Sequence, residues 1–148
     1  MRIERLRVQN FRSFREIDIQ LPAWGAVVGA NASGKSNFVQ VFRFLRDVVS
    51  EGFENAISLQ GGVDYLRNMR IGAHMPLQVE LSAIVPLPSS ESRPPVEARL
   101  DYSLGIRFAK RGRQYKVARE ECRLEPVDPH PDASLLALHG VRRENTVK

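Results

Sequence analysis

The sequence Gly-Ala-Asn-Ala-Ser-Gly-Lys-Ser occupies residues 29–36 and fits the pattern G-x-x-x-x-G-K-[ST]. Glycine at positions 29 and 34 allows backbone angles and close approaches that a Cβ atom would block. A loop of this kind surrounds a phosphate with backbone N–H groups, and the N-terminus of the helix that follows adds partial positive charge. Lys35 then supplies a point charge for the β- and γ-phosphates, and the Ser36 hydroxyl supplies a ligand for Mg²⁺. The segment therefore predicts a nucleotide-phosphate site.

The segments on either side of this loop have the context that such a site needs. Residues 24–28, WGAVV, form a short apolar run that predicts a buried strand ending at Gly29. From Lys35 to about residue 50, apolar residues recur at steps of three and four, which predicts an amphipathic helix. Gly52 lies just beyond its end, a common place for a helix to stop. The apolar positions of the helix are Phe38, Val41, Phe42, Leu45, Val48 and Val49.

Alternating apolar and polar residues predict five further strands. Lys110-Arg111-Gly112-Arg113 joins the last two of them and predicts a hairpin turn. Proline-rich segments follow the third and fifth strands and predict loops. The predicted strands span residues 2–9, 14–21, 76–85, 96–108 and 114–124, and the proline-rich loops span residues 86–95 and 126–131.

We expect a single lobe with four parts along the chain. Between the first helix and the β-rich region, a short helix at 54–59, a Gly61-Gly62 break and a helical turn at 64–68 are predicted. A last short helix is predicted at 132–141. The four parts are 1–52 (strands, phosphate loop and first helix), 53–75 (helical connection), 76–125 (β-subdomain) and 126–148 (tail helix).

Composition is that of an ordinary globular chain. Hydrophobic residues make up 43% and charged residues 26%, which excludes wholly disordered, collagen-like and disulfide-scaffold chains. There is no apolar run of about 18 residues to span a membrane, and the N-terminus lacks the apolar core of a secretory signal. The one cysteine, Cys122, has no intramolecular disulfide partner, so we expect a reducing, cytoplasmic setting. A net charge of +5 is compatible with a polyanionic partner.

Two stretches together resemble a known family. They are LRVQNFRSFREIDIQL at residues 6–21 and WGAVVGANASGKSNFVQVFRFL at residues 24–45. The first strand ends in Asn-Phe-Arg-Ser-Phe, a strand pair precedes the phosphate loop, and Asn31 and Asn37 flank the Gly-Lys-Ser triplet. The chain resembles, most strongly over residues 1–50, the N-terminus of the ABC-type ATPases of the RecF/SMC class. That class includes DNA-repair and chromosome-maintenance ATPases, overcoming-lysogenisation-defect nucleases and bacterial defence ATPases of AAA type.

The resemblance implies an α/β fold: a P-loop NTPase head of ABC type, here an incomplete N-terminal lobe with an antiparallel β-subdomain. It implies ATP as the nucleotide, Mg²⁺ as its ion with Ser36 as ligand, and Arg12 close to the phosphates. A glutamine that touches the metal is also implied, and Gln60, Gln78 and Gln114 remain open for it. The implied nucleotide-binding set is Arg12, Gly29, Asn31, Ala32, Ser33, Gly34, Lys35, Ser36 and Asn37.

Two features depart from the family's pattern. Hydrolysis in this class needs four apolar residues followed by Asp-Glu, whose carboxylates support the metal and activate water. The nearest apolar run, residues 135–138, is followed by His139-Gly140, so no catalytic residue is assigned. Leu59-Gln60-Gly61-Gly62 is similar to the signature loop but comes too soon after Lys35 and precedes the sheet. A helix stop and turn, or a loop at the nucleotide edge or facing DNA, are the alternatives for this segment. We expect one lobe of a larger ATPase, completed by a missing C-terminal lobe or by homodimerisation, and slow hydrolysis by this chain alone.

The sequence is compatible with other functions. In one alternative, the lobe is a catalytically inactive assembly module that pairs with another chain. A small-molecule kinase shares the phosphate loop, but no lid or acceptor site is evident in the β-rich remainder. DNA is a candidate partner, because the hairpin at residues 107–116 carries five basic and two aromatic residues and because Arg67 and Arg70 lie near the helix exit. The resemblance places the coupled process in DNA repair or anti-phage defence.

Overall fold

Alternating side chains build a five-stranded antiparallel sheet that packs against one long helix. A computed structural model describes residues 1–87, 96–109 and 114–127. A 3₁₀ turn at Gly72–His74 leads into the third strand. The elements are β1 (Arg2–Phe11), β2 (Phe14–Gln20), α1 (Lys35–Leu59), α2 (Val63–Leu66), β3 (Leu77–Leu87), β4 (Val96–Phe108) and β5 (Tyr115–Pro126).

The order of the strands across the sheet is β2-β1-β3-β4-β5, and every neighbouring pair is antiparallel. Because side chains alternate between the two faces of a strand, Leu6 and Val8 of β1 lie in the core, whereas Arg5 and Arg7 lie on the opposite face. The opposite face carries ion pairs across β1 and β2, among them Arg5 with Asp18 at 2.6 Å. The predicted period of two is therefore confirmed for these strands.

The core lies between the sheet and α1. The Phe11 and Phe44 rings pack with their centroids 6.0 Å apart and join the end of β1 to the middle of the helix. Of the predicted apolar positions of α1, Val41 and Val48 lie in this core, whereas Val49 is 85% exposed; Phe44, outside the predicted set, is fully buried. The buried apolar residues are Leu6, Val8, Phe11, Val41, Phe44, Val48, Ala56, Ile57, Val63, Leu66, Leu77, Val79, Leu104, Ile106, Phe108 and Val117.

Gly52 interrupts α1. Its backbone angles, φ 81° and ψ 168°, are not helical and divide the element into two helical segments. A positive φ of this kind is easily adopted by glycine, which explains why the break occurs at this residue. The sequence predicts a stop at Gly52 and a short helix from residue 54 to 59, and both are confirmed.

Residues 24–28 do not form the predicted buried strand. Trp24 lies in a bend, residues 25–28 have no regular secondary structure, and Trp24 and Val28 are 88% and 86% exposed. A strand needs a neighbour for its N–H and C=O groups, and the described residues provide none beside this segment. The prediction of a buried strand here is therefore wrong for this chain by itself.

The ends of β1, β2, β3 and β5 differ from the predicted ends by one or two residues. β3 continues through Pro86, which lies opposite Glu97 of β4. Pairing with β1 ends at Ile84, so Pro86 lies where β3 has only one neighbour and its missing N–H is tolerated. β5 extends to Pro126. The hairpin turn at 110–113, the helix at 132–141 and most of the two proline-rich loops lie outside the described residues, as do Leu135–Leu138 and His139-Gly140.

Candidate functional site: the loop before the long helix

The loop at residues 29–36 bends sharply into the N-terminus of α1. Gly34 is the residue that caps the helix, with φ 97°, and Ala32 also has a positive φ of 64°. Within the bend, the Ser33 N–H donates to the Ala30 carbonyl at 3.3 Å. Because the first N–H groups of a helix have no partner within the helix, the start of α1 presents unpaired donors to whatever lies in front of it.

Both glycines of the loop lie close to the side chain of another residue. A Cβ on Gly29 would lie 2.8 Å from the Ser33 Oγ, and a Cβ on Gly34 would lie 2.9 Å from a ring carbon of Phe14. At Gly34 the left-handed backbone adds a second constraint, since residues with a Cβ rarely adopt that φ. The requirement for glycine is therefore stricter at Gly34, where the positive φ and the Phe14 ring both oppose a side chain, than at Gly29, where the Ser33 hydroxyl can rotate away.

Lys35 lies against the loop that precedes it. Its Nζ donates to the carbonyl oxygens of Gly29 and Ala30 at 2.6 and 2.7 Å. The ammonium group is therefore held by neutral acceptors, and no carboxylate among the described residues pairs with it. An anion that entered the bend would meet this positive charge directly.

The turn between β1 and β2 packs against the start of α1. The Asn37 Nδ2 donates to the Ser13 Oγ at 2.6 Å, and Phe14 contacts Gly34 as described above. The structure thus brings the Asn-Phe-Arg-Ser-Phe segment to the loop, although the two are separated by about twenty residues of chain. The remaining predicted residues, Asn31, Ala32, Ser33 and Ser36, are exposed to solvent.

Arg12 lies in this turn and points to the end of α1. It has a left-handed backbone with φ 48°, and its N–H donates to the Leu66 carbonyl at 2.9 Å. Its Nη2 donates to the Gln60 Oε1 at 2.7 Å and to the Gln60 carbonyl at 3.3 Å, whereas its Nε is buried with no hydrogen-bond partner in the described residues. Burial lowers the pKa of Arg12 from its ordinary value.

The three candidate glutamines have different surroundings. Gln60 is buried at the C-terminal end of α1, where its side chain accepts the hydrogen bond from Arg12. Gln78 on β3 and Gln114 before β5 are exposed. Gln60 is therefore the one of the three that the structure connects to the turn beside the loop.

Asn10 is an organising residue to which the sequence assigned no role. It is fully buried with φ 55°, and its Nδ2 donates to the carbonyls of Gly72 and Met75 at 3.2 and 2.5 Å. Its Oδ1 accepts the Asn68 N–H at 3.0 Å. Asparagine tolerates the left-handed region better than most residues, and this preference at the end of a strand is the signal that could have identified it.

The basic residues proposed for DNA contact have different surroundings in the described part of the chain. Arg67 pairs with Asp64 at 2.7 Å and its guanidinium carbon lies 5.8 Å from the centre of the Phe108 ring. Arg70, Arg107 and Lys116 are exposed. Three of the five basic residues of the hairpin, at 110, 111 and 113, lie outside the described residues.

Comparison with known proteins decides the family. The model of the AAA ATPase domain family matches residues 1–92, which include the loop, α1 and the first half of the sheet. The chain belongs to this family. The match extends beyond the region in which the resemblance is strongest, residues 1–50, and includes Arg12, Gln60 and Asn68.

Two relatives identify the branch of the family. The chain is 42% identical over 69 residues to the DNA replication and repair protein RecF of Desulforudis audaxviator, covering 38% of this chain and 19% of that protein. It is 32% identical over 69 residues to the chromosome partition protein Smc of Methanocaldococcus jannaschii, covering 46% of this chain and 6% of that protein. The similarity to the N-terminal lobe of a RecF/SMC-like ATPase is thus confirmed, and the chain spans less than a fifth of either relative. Among the described residues, no helix has the length and apolar character to cross a membrane.

Proposed function

We propose that residues 29–37 are a Walker A loop and that this AAA ATPase lobe uses it to bind Mg-ATP. The observation that carries the proposal is the position of the Lys35 Nζ, 2.6 and 2.7 Å from two carbonyls of the loop. The contact shows that the loop is bent around the Lys35 ammonium group, the positive charge that a triphosphate would pair with. The left-handed Gly34 and the helix N-terminus behind it support the same function.

Each residue of the loop has a chemical task in this proposal. Lys35 exchanges the Gly29 and Ala30 carbonyls for oxygens of the β- and γ-phosphates, because a charged acceptor makes the stronger hydrogen bond. The Ser36 hydroxyl coordinates Mg²⁺, an ion that prefers oxygen ligands and keeps several waters. The backbone N–H groups of residues 31–36 surround the phosphates, and Asn37 holds the Ser13 side of the turn in place. Arg12 supplies a second positive charge.

The lobe is proposed to need a second lobe for turnover. Trp24 and Val28 present apolar surface and unpaired backbone, which supports pairing with a strand from elsewhere, either a C-terminal lobe or a partner chain. In the intact protein, ATP would clamp two such heads together and hydrolysis would release them. We place the coupled process in DNA repair or anti-phage defence, with DNA as a candidate partner and the cytoplasm as the setting.

Nucleotide titration of wild type and Lys35→Ala tests the proposal. Loss of a charged donor to a phosphate costs about 1.5–3 kcal/mol, so the Kd for Mg-ATP is expected to rise about ten- to a hundredfold. Lys116→Ala is the matched control, because Lys116 is exposed on β5 and its removal changes the net charge equally. Calorimetry that finds no binding by wild type, or equal binding by wild type and Lys35→Ala, would contradict the proposal.

The exposed apolar segment also favours a second candidate function. If the lobe is an assembly module, residues 24–28 are its docking surface and the nucleotide is structural or absent. Equal affinities in the titration, together with tight association of the chain with a C-terminal lobe in the absence of ATP, would favour this alternative.

A further inference from the structure

Gln60 has no assigned role beyond being one of three glutamines open for a metal contact. It is 8% exposed, at the residue where α1 ends, and its Oε1 and its carbonyl both accept hydrogen bonds from the same nitrogen of Arg12, at 2.7 and 3.3 Å. Both bonds are donated by Nη2, so Gln60 holds the guanidinium through this one nitrogen. The Nη1 donors have no partner among the described residues.

Arg12 differs from its neighbouring arginines in the kind of acceptor that holds it. Arg5 and Arg7 of β1 pair with Asp18 and Glu16, at 2.6 and 2.9 Å. Arg12 is partly buried, and no carboxylate in the described part of the chain pairs with it. A partly buried cation held by a neutral amide keeps its full charge without a counter-ion, an arrangement that favours an anion from outside the chain.

The position of Arg12 connects this charge to the loop. The next residue, Ser13, accepts a hydrogen bond from Asn37, and Phe14 contacts Gly34. Arg12 itself is fixed by the bond from its N–H to the Leu66 carbonyl. The turn that carries Arg12 is therefore in contact with Gly34 and Asn37 at the start of α1 and with Leu66 at the end of α2.

We propose that Gln60 is a positioning residue: its neutral side chain orients Arg12 without neutralising it, so that the guanidinium is available to the polyphosphate of a nucleotide. This inference rests on the proposed function of the loop. It assigns to Gln60 a contact with Arg12 in place of the contact with the metal that the family resemblance left open.

Gln60→Glu separates positioning from a structural role. Glutamate has the same length and can keep the bond to Arg12, and the charged bond is the stronger one, so the melting temperature is expected to stay the same or rise. Because the new carboxylate neutralises Arg12, the Kd for ATP is expected to rise about tenfold, the equivalent of one lost charged contact. Gln20→Glu on the exposed end of β2 is the matched control with the same change in net charge.

Two further measurements on the full 148-residue chain complete the test. When Gln60→Glu is titrated with ATP in the presence of EDTA, the loss of affinity is expected to be the same as with Mg²⁺. If Gln60 contacted the metal instead, the loss would be seen only with Mg²⁺ present. In the Arg12→Ala background, Gln60→Glu is expected to have no further effect on ATP affinity. Wild-type affinity in Gln60→Glu, a loss confined to Mg²⁺, or additive effects of the two changes would each overturn the inference while leaving the function of the loop intact. Absence of ATP binding by wild type would overturn both.

Discussion

Phe14 closes the space beside Gly34, so that a Cβ on the glycine would lie 2.9 Å from the aromatic ring. The contact joins the start of β2 to the residue that caps α1, and it holds the β1–β2 turn against the loop. Since Gly34 also has a φ of 97°, the position combines a steric requirement with a backbone requirement. Among the described glycines, no other combines a positive φ with a contact closer than 3.0 Å.

We expect Gly34→Ala to destabilise the fold and to weaken nucleotide binding together. The left-handed backbone costs a residue with a Cβ about 1–2 kcal/mol, and the overlap with Phe14 adds about 1–3 kcal/mol. Urea denaturation measures the stability and calorimetry the Kd for Mg-ATP.

Gly72→Ala is the control for Gly34→Ala. Gly72 has a φ of 66°, but nothing lies within 4 Å of where its Cβ would be. It therefore reports the backbone cost alone and is expected to lose only about 1–2 kcal/mol. Equal losses of stability in the two variants would show that the contact with Phe14 carries no cost.

We expect Asn10→Ala to be among the more destabilising substitutions in the chain. The side chain satisfies the Gly72 and Met75 carbonyls and the Asn68 N–H in a fully buried site. Leaving such groups unpaired costs about 1–3 kcal/mol each before relaxation, so a total loss of about 3 kcal/mol or more is expected from urea denaturation. Asn55→Ala, which removes one exposed bond to the Glu51 carbonyl, is the control and is expected to change stability by less than about 0.5 kcal/mol.

The sequence predicted those parts of the fold that depend on local pattern. Alternation located β1 to β5 and the step of three and four located α1, because burial of one face imposes those periods. Gly52 was predicted as a break because its φ is accessible to glycine. These features require no knowledge of what lies opposite in space.

Features that depend on distant partners were not predictable. The bond between Arg12 and Gln60 joins residues 48 apart, and the three bonds of Asn10 reach 58 to 65 residues along the chain. The prediction of a buried strand at residues 24–28 was wrong because it also depends on a distant partner. Apolar content predicts burial, but burial needs a neighbouring element, and the described residues include none beside this segment. The assignment of nucleotide to the loop stays a prediction.

The Arg5–Asp18 pair predicts a specific dependence of stability on pH. The Arg5 guanidinium donates two hydrogen bonds, of 2.8 and 2.6 Å, to the Asp18 carboxylate, and these bonds lower the pKa of Asp18 from its ordinary value of 3.8. Because the pKa is lower in the folded state, the contribution to stability is present above the unfolded pKa and is lost as pH falls through the folded pKa. Wild type is therefore expected to be more stable than Asp18→Asn at pH 6.

Thermal unfolding between pH 6 and pH 2 measures this difference. The advantage of wild type over Asp18→Asn is expected to shrink as the pH falls below about 4 and to disappear in acid. Arg5→Gln is the complementary variant, because it removes the other half of the pair. The stability advantage of wild type over Arg5→Gln is expected to shrink over the same pH range. An advantage that persisted unchanged in acid would mean that Asp18 contributes by packing and not by its charge.

The exposed segment before the loop predicts that its apolar residues contribute little to the stability of this chain. Trp24→Ala is expected to change the free energy of unfolding by less than about 0.5 kcal/mol, whereas Phe44→Ala, at a fully buried aromatic position, is expected to cost about 3–5 kcal/mol.

Trp24 is the one tryptophan of the sequence, so its fluorescence reports this segment alone. In the isolated chain we expect full access to acrylamide, and on addition of a C-terminal lobe or partner chain that completes the sheet we expect a blue shift and protection from the quencher. A tryptophan already protected in the isolated chain would show that residues 24–28 are covered by this chain itself, and the proposed need for a second lobe would lose its main structural support.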